Sequence, residues 1–362
     1  MSRHTSDMTQ DERCAEVVLP TTDLTADLGF FGRELGMRLL TIHPADDPRE
    51  AVMEGLGLRV RLERSDAAPG RLTIRTDDPT VAPGDAPGGT RIEVRPLTPA
   101  VAAPATQHAF VVRRLKDRAP WVIGRAGMQY RDLLPDRLGG AIIASHIRIP
   151  DGGPVPDMVH FHRVGFQLIF CYRGWVDVVY EDQGGPIRLQ AGDCFIQPPE
   201  IRHRVLEASD GIEVIEIGVP AEHLTEIDHE MTLPTPHLRP EREWQGQRFV
   251  HNRRTEGDWT PLIPGFVARD TTISANTGGV AGVKVLRRGD GAPVAVRHDA
   301  DIHFTFVMEG TLRLEADGQP AHELSPGDAF AIPPGLAVRY ADPSDDVELL
   351  EVTLDGEVAR EA

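Results

Sequence analysis

Much of this chain is written twice. Gly127-Met128-Gln129-Tyr130-Arg131-Asp132 is answered by Gly265-Phe266-Val267-Ala268-Arg269-Asp270, Gly139-Gly140 by Gly278-Gly279, and Arg173-Gly174 by Glu309-Gly310. Gly192-Asp193-Cys194-Phe195-Ile196-Gln197-Pro198-Pro199 is answered by Gly327-Asp328-Ala329-Phe330-Ala331-Ile332-Pro333-Pro334. Ser209-Asp210 and Glu216 match Ser344-Asp345 and Glu351. The matches keep their order and almost their spacing. A repeat of this kind outranks local propensity, because each copy must be one folding unit. Short runs of Val, Ile and Thr are broken by the chain's 35 Gly and 30 Pro, a pattern of short strands and tight turns. The expected fold is mainly β, with two copies of one β-domain.

The first copy carries Val159-His160-Phe161-His162-Arg163-Val164-Gly165-Phe166-Gln167 and, further on, Arg202-His203-Arg204. Side chains at i and i+2 of a strand share a face, so His160 and His162 look the same way. Imidazole is the commonest protein metal ligand. Two imidazoles on one face and a third on a neighbouring strand can hold a divalent metal and leave positions open for a substrate.

Composition bounds the alternatives. With 40% hydrophobic and 26% charged residues, the 362-residue chain reads as an ordinary globular protein of two or three domains. A formal net charge of −18 argues against nonspecific binding to nucleic acid or anionic membranes. Cys14, Cys171 and Cys194 are too few, and odd in number, for a disulfide framework. No apolar signal region follows Met1 and no run reaches the length of a membrane span, so a cytoplasmic protein is expected.

The spacing in the first copy resembles the cupin motifs. His160-x-His162, with Gln167 four residues on and Gly174 beyond, is similar to the first motif. Gly192, Pro198 and His203 are similar to the second. The resemblance covers about two thirds of the chain and implies a bicupin of two jelly-roll barrels, with the metal inside one. It implies His160, His162 and His203 as ligands. Gln167 stands where the family most often has Glu, and Glu207 where it usually has Asn, a structural position. Three neutral imidazoles and a neutral amide leave the cation's charge uncompensated, which favours an anionic, chelating substrate such as an enolate, catecholate or carboxylate. One divalent metal per chain is expected, Fe(II) first, with Mn, Ni, Zn or Co as alternatives.

Aligned through Gly310 and Gly327, the second copy puts His298 in place of His162, His303 in place of Gln167, Val296 in place of His160 and Val338 in place of His203. It reads as a scaffold or pocket wall. A residual site of His298 and His303, helped by Asp299 or Asp301, is the alternative. In the first copy Ser145 aligns with Lys284, so its face of the strand is expected toward solvent and Ile142, Ala144, His146 and Arg148 toward the barrel interior. His146 would then be an acid or base beside the metal, or would orient a substrate anion together with Arg148. A hydrogen-bonded core histidine is the alternative. Cys171 shares the parity of Gln167 and reads as a buried small hydrophobe. Gln129, Tyr130 and Arg131 lead into the barrel as a candidate lid.

The domains are read as a disordered tail over 1–13, an α+β domain over 14–110, the metal-binding cupin over 113–232, a linker over 233–246 and a degenerate cupin over 247–356. Cys14 to Pro20 reads as a strand, and Leu24 to Leu35 as a helix capped by Thr22 or Asp23 and stopped by Gly36. Met37 to Ile42 and Leu56 to Glu63 read as strands, followed by strands 71–75 and 90–94. This β-α-β-β order resembles a glyoxalase-like (vicinal oxygen chelate) module, with Glu16 where that family carries a metal-binding His. A structural or dimerising domain is the alternative. Pro79 to Gly89 reads as a loop, Pro96 to Pro104 as a linker, and Ala221 to Met231 as a short helix.

The functional expectation is a mononuclear non-haem oxygenase, most of all a dioxygenase, in which the metal aligns a small substrate with O₂. Bicupins with one working site resemble ring-cleaving dioxygenases of the gentisate type, although Gln167 departs from that pattern. Metal-dependent isomerase or lyase chemistry through an enolate is the second reading, and a non-catalytic ligand-binding cupin the third. A homodimer is the family-level expectation.

Overall fold

The computed structural model describes residues 14–118, 120–356 and 358–361; the tail over 1–13 lies outside them. The chain forms two compact units that divide after Ala100, inside the segment expected as a linker. Among the described residues no helix is long and apolar enough to cross a membrane.

The first unit is built on a four-stranded sheet in the order Val17–Thr21, Leu58–Arg64, Glu50–Gly55, Arg38–His43, its first pair parallel and the others antiparallel. The helix Leu24–Arg33 starts at Asp23, whose carboxylate accepts from the backbone N–H of Ala26 at 3.0 Å. Its Leu24 and Phe31 pack on Met53, Val60 and Leu62. The strand Glu50–Gly55 is one more than the sequence suggests. A second sheet joins Arg71–Arg75 to Arg91–Arg95 in parallel, with Gly84–Asp85 pairing inside the expected loop. Glu16 sits just ahead of the first strand, and its carboxylate is held by Arg61 at 2.6 Å. Arg61 also reaches Glu50 at 3.2 Å, so Glu16 is committed to an ion pair and not to a donor cluster.

The second unit holds two sandwich-like barrels. The first has a seven-stranded sheet in the order Val250–Asn252, Cys194–Ile196, Phe166–Arg173, Ile212–Val219, Ile143–Ile149, Gln129–Asp132, Val122–Ile123. It faces a sheet in the order Ile187–Gln190, Trp175–Tyr180, His203–Ala208, His160–His162, Thr225–Ile227. The second barrel repeats this with Trp259–Ile263, Phe266–Asp270, Gly282–Arg288, Glu348–Leu354, Ile302–Glu309, Ala329–Ile332 and Val111–Arg113. Its facing sheet is His322–Leu324, Leu312–Ala316, Val338–Ala341.

The large sheets are buried on both faces. Ile147, Cys171 and Phe195 fill the first barrel. Between the barrels, Ala144, Phe166, Leu168 and Phe170 share a core with Val283, Val285, Phe304 and Phe306. Burying each Phe or Leu contributes about 1.5–3 kcal/mol. A strand buried on both faces loses the polar alternation that reveals its inner side. Ser145, expected at the solvent, is therefore only 4% exposed and shares the inward parity of Ile147.

Sheet membership crosses the expected domain boundaries. Val111–Arg113, ahead of the first repeat, pairs with Ala329–Ile332 of the second barrel. Val250–Asn252, ahead of the second repeat, pairs with Cys194–Ile196 of the first. The helix expected over Ala221 to Met231 is absent. Thr225–Ile227 is instead an edge strand that pairs with His160–His162 and supplies that short strand's backbone partners.

Candidate metal centre

His160 and His203 are direct register partners across an antiparallel pair, and His162 follows His160 on the same face. All three are buried, and one nitrogen of each lies within 4.8 Å of those of the other two. Each ring is anchored on its far side. Nδ1 of His160 lies 2.8 Å from Met158 O, Nδ1 of His162 2.8 Å from Thr225 Oγ1, and Nδ1 of His203 3.0 Å from Ile201 O. A carbonyl acceptor makes Nδ1 the protonated nitrogen and leaves the Nε2 lone pair free. Nε2 of His160 is buried with no hydrogen-bond partner. Burial holds His162 and His203 well below the usual imidazole range, and burial aided by the charge of Arg125 lowers His160. Neutral, convergent, desolvated imidazoles are a donor set that fits a divalent cation.

Gln167 shares the inward parity of Cys171 on strand Phe166–Arg173. Its amide Nε2 donates to Glu216 Oε1 at 2.7 Å, while its Oε1 is buried without a partner. Glu216 comes from strand Ile212–Val219 and lines the same cavity. Burial pushes its carboxyl upward, against the hydrogen bond from Gln167. Gln167 and Glu216 thus form a hydrogen-bonded amide–carboxyl pair in the barrel.

His162, His203 and Glu216 open onto a cavity within the first barrel. Its walls are largely aliphatic and aromatic, among them Ile147, Val178, Leu189, Phe195 and Val214. Tyr130, on the candidate lid, and Gln197 and Arg125 add polar groups. Burial drives the Tyr130 phenol up to about 12.

His146 is not where the sequence placed it. On strand Ile143–Ile149 the inward side chains are Ile147 and Ile149, so His146 faces the other way. His146 sits between the barrels, its ring 5.6 Å from Phe306 and 5.7 Å from Tyr172. Its Nε2 meets Glu213 at 2.5 Å and its Nδ1 meets Arg131 at 3.0 Å. Burial lowers its pKa despite Glu213. It is a hydrogen-bonded core histidine. Arg148 borders the cavity, but its guanidinium donates to Gln129 at 2.8 Å and lies 4.1 Å from the Trp121 ring centroid. Cys171 is a buried thiol that burial pushes up to about 12.

The second barrel bears out the alignment residue by residue. Val296 and Val338 form a bridge where His160 and His203 pair in the first barrel. His298 and His303 stack at 4.5 Å. His303 Nε2 meets Glu351 at 3.0 Å, and Arg360 donates to the same carboxylate at 2.6 Å. Burial alone would raise Glu351, but His303 and Arg360 outweigh it and bring it down to about 2. Asp299 and Asp301 do not join the histidines. Asp299 accepts from Ala359 N–H at 2.8 Å, and Asp301 from Thr106 at 2.5 Å.

Sequence reading missed Thr225, Arg125 and Asp157, which lie outside the histidine motifs, and His223, whose ring is 5.6 Å from that of His162. Glu216 was visible only as a repeat match with Glu351.

A model of the cupin domain matches residues 283–353, within the second barrel. No curated protein matches the chain. Among solved structures, a variant of oxalate decarboxylase from Bacillus subtilis is similar with a TM-score of 0.52 and 14% identity, over 72% of this chain and 81% of the other. A salicylate 1,2-dioxygenase from Pseudaminobacter salicylatoxidans is similar with a TM-score of 0.52 and 17% identity, over 72% of this chain and 90% of the other. At this identity the likeness speaks to fold. By fold, the unit after Ala100 is a bicupin, and its first barrel alone carries the three-histidine cluster found among the described residues.

Proposed function

We propose that this protein is a mononuclear metal-dependent enzyme whose centre is His160, His162 and His203, with Gln167 as a neutral fourth donor, and that it acts as an oxygenase on a small anionic chelating substrate. The observation that carries the reading is the cluster of three buried histidines, each anchored through Nδ1, with one nitrogen of each within 4.8 Å of those of the other two. Fe(II) bound there would supply Lewis acidity and one-electron chemistry with O₂. The chain's own residues do the rest. The aliphatic walls exclude water, and Gln167, held by Glu216, offers an uncharged amide oxygen. One of the similar folds is a dioxygenase of a hydroxybenzoate, which supports this class of chemistry on such a barrel.

Glu216 favours a second reading. A carboxyl with a raised pKa, facing the cavity, can exchange a proton with substrate, as isomerases and lyases require. One experiment separates the two. Protein reconstituted with Fe(II), Mn(II) or Zn(II) is offered catechols, hydroxybenzoates and 2-oxo acids in an oxygen electrode and in an anaerobic chamber. Substrate-dependent O₂ uptake supports the oxygenase, and anaerobic turnover the isomerase or lyase. A protein that retains none of these metals would sink both.

A further inference from the structure

Among the described residues, two arginines, Arg125 and Arg148, border the cavity of the first barrel. Arg125 lies in the tight turn Arg125–Gly127, at the tip of the hairpin between Val122–Ile123 and Gln129–Asp132. The turn is folded down on its own strand. Gly124 N–H donates to Met128 O at 2.8 Å, and a Cβ on Gly124 would sit 2.6 Å from the Tyr130 ring. Gly127 has φ +76°, a conformation that costs glycine little. The hairpin tip therefore brings Arg125 to the cavity that His162, His203 and Tyr130 also line.

Asp157 holds Arg125 from behind. Its side chain is only 2% exposed, whereas that of Arg125 is 35% exposed. One carboxylate oxygen takes Arg125 Nη1, and the other accepts from Val205 N–H at 2.9 Å and lies 3.6 Å from Nδ1 of His160. The remaining guanidinium N–H groups of Arg125 have no hydrogen-bond partner among the described residues. The other arginine at the cavity, Arg148, is occupied by Gln129 and Trp121. A guanidinium is a fork built for carboxylate. Here it stands over the largely apolar walls of the cavity.

We propose that Arg125 is the anion receptor of the first barrel, that Asp157 is the positioning residue that fixes it beside the metal ligands, and that the ligand is a carboxylate with a compact apolar body, aromatic or branched. The proposal rests on the metal-centre reading and narrows its substrate class.

Calorimetric titration of the Zn(II)-loaded protein with benzoate, and with the neutral isostere benzamide, tests it. Benzoate should bind at least about tenfold tighter than benzamide. Arg125→Gln should erase that preference while zinc stoichiometry stays that of wild type, and Arg125→Lys should restore part of it. Asp157→Asn should weaken benzoate binding with Arg125 still present. Equal benzoate affinity in wild type and Arg125→Gln, or no preference in wild type, overturns the proposal. The metal-centre reading fails separately, by loss of zinc retention in wild type, and the benzoate titration can then be repeated on metal-free protein.

Discussion

The guanidinium of Arg131 in the first barrel donates to the carbonyl of Gly327 in the second at 2.6 Å, across 196 residues of chain. The repeat returns the contact in reverse. Arg269, the counterpart of Arg131, donates to the carbonyl of Gly192, the counterpart of Gly327, at 3.3 Å. Both arginines are buried, at 1% and 2% exposure. The exchanged strands Val111–Arg113 and Val250–Asn252 follow the same pseudo-twofold logic.

The two clasps should not be equal in strength. Arg269 also donates to Asn252 Oδ1 and to the carbonyls of Arg253 and Glu256, whereas among the described residues the other side-chain hydrogen bond of Arg131 is to His146. Arg269→Met leaves more buried acceptors unpaired and should cost about 3 kcal/mol, against about 1 kcal/mol for Arg131→Met. Urea midpoints at constant m-value read the difference, and the reverse order would refute this account.

Metal retention should follow the anchors as well as the ligands. His160→Ala and His203→Ala should abolish it, whereas His298→Ala should leave it intact. Thr225→Val removes the partner of His162 Nδ1 and should weaken metal affinity about 10–100-fold. Competition against a chromogenic chelator measures all four. If His298→Ala strips the metal, the active barrel has been misassigned.

Gln167→Glu places a carboxyl within hydrogen-bond reach of Glu216, where the wild-type amide donates at 2.7 Å. Like charges so close cannot both ionise. The metal-free variant should lose about 1–3 kcal/mol near neutral pH, and Gln167→Glu combined with Glu216→Gln should recover most of it. Thermal melts of the four species complete the cycle. Additive losses in the double variant would show that the pair is not coupled.

Burial, with His303 beside it, lowers His298 to about 4. The folded protein then holds His298 neutral while the unfolded chain protonates it near pH ~6.5. Stability from this residue is full above that value and is lost as pH falls toward 4, by about 2 kcal/mol between pH 7 and pH 5. Urea titrations at the two pH values should show a smaller drop for His298→Gln than for wild type; equal drops would remove His298 as the cause.

The barrels and the three clustered histidines were legible because their signals are local. A repeat needs only order and spacing, and His160 and His162 share a face by strand parity alone. Val296 and Val338 could be paired from the sequence for the same reason. Thr225 and Glu216 were not legible, because no motif joins them to the histidines. Thr225 acts through a strand pairing in a stretch that reads equally well as a helix, and Glu216 through a neighbour 49 residues away.

By itself, the sequence determined that one β-domain occurs twice and that only the first copy keeps the histidine set. Only the tertiary structure decided which way strand Ile143–Ile149 faces. Packing barrel against barrel buries both of its sides, which erases the hydrophobic alternation a reader depends on. That packing turned His146 away from the barrel interior, and the fold of a hairpin brought Arg125 to the cavity.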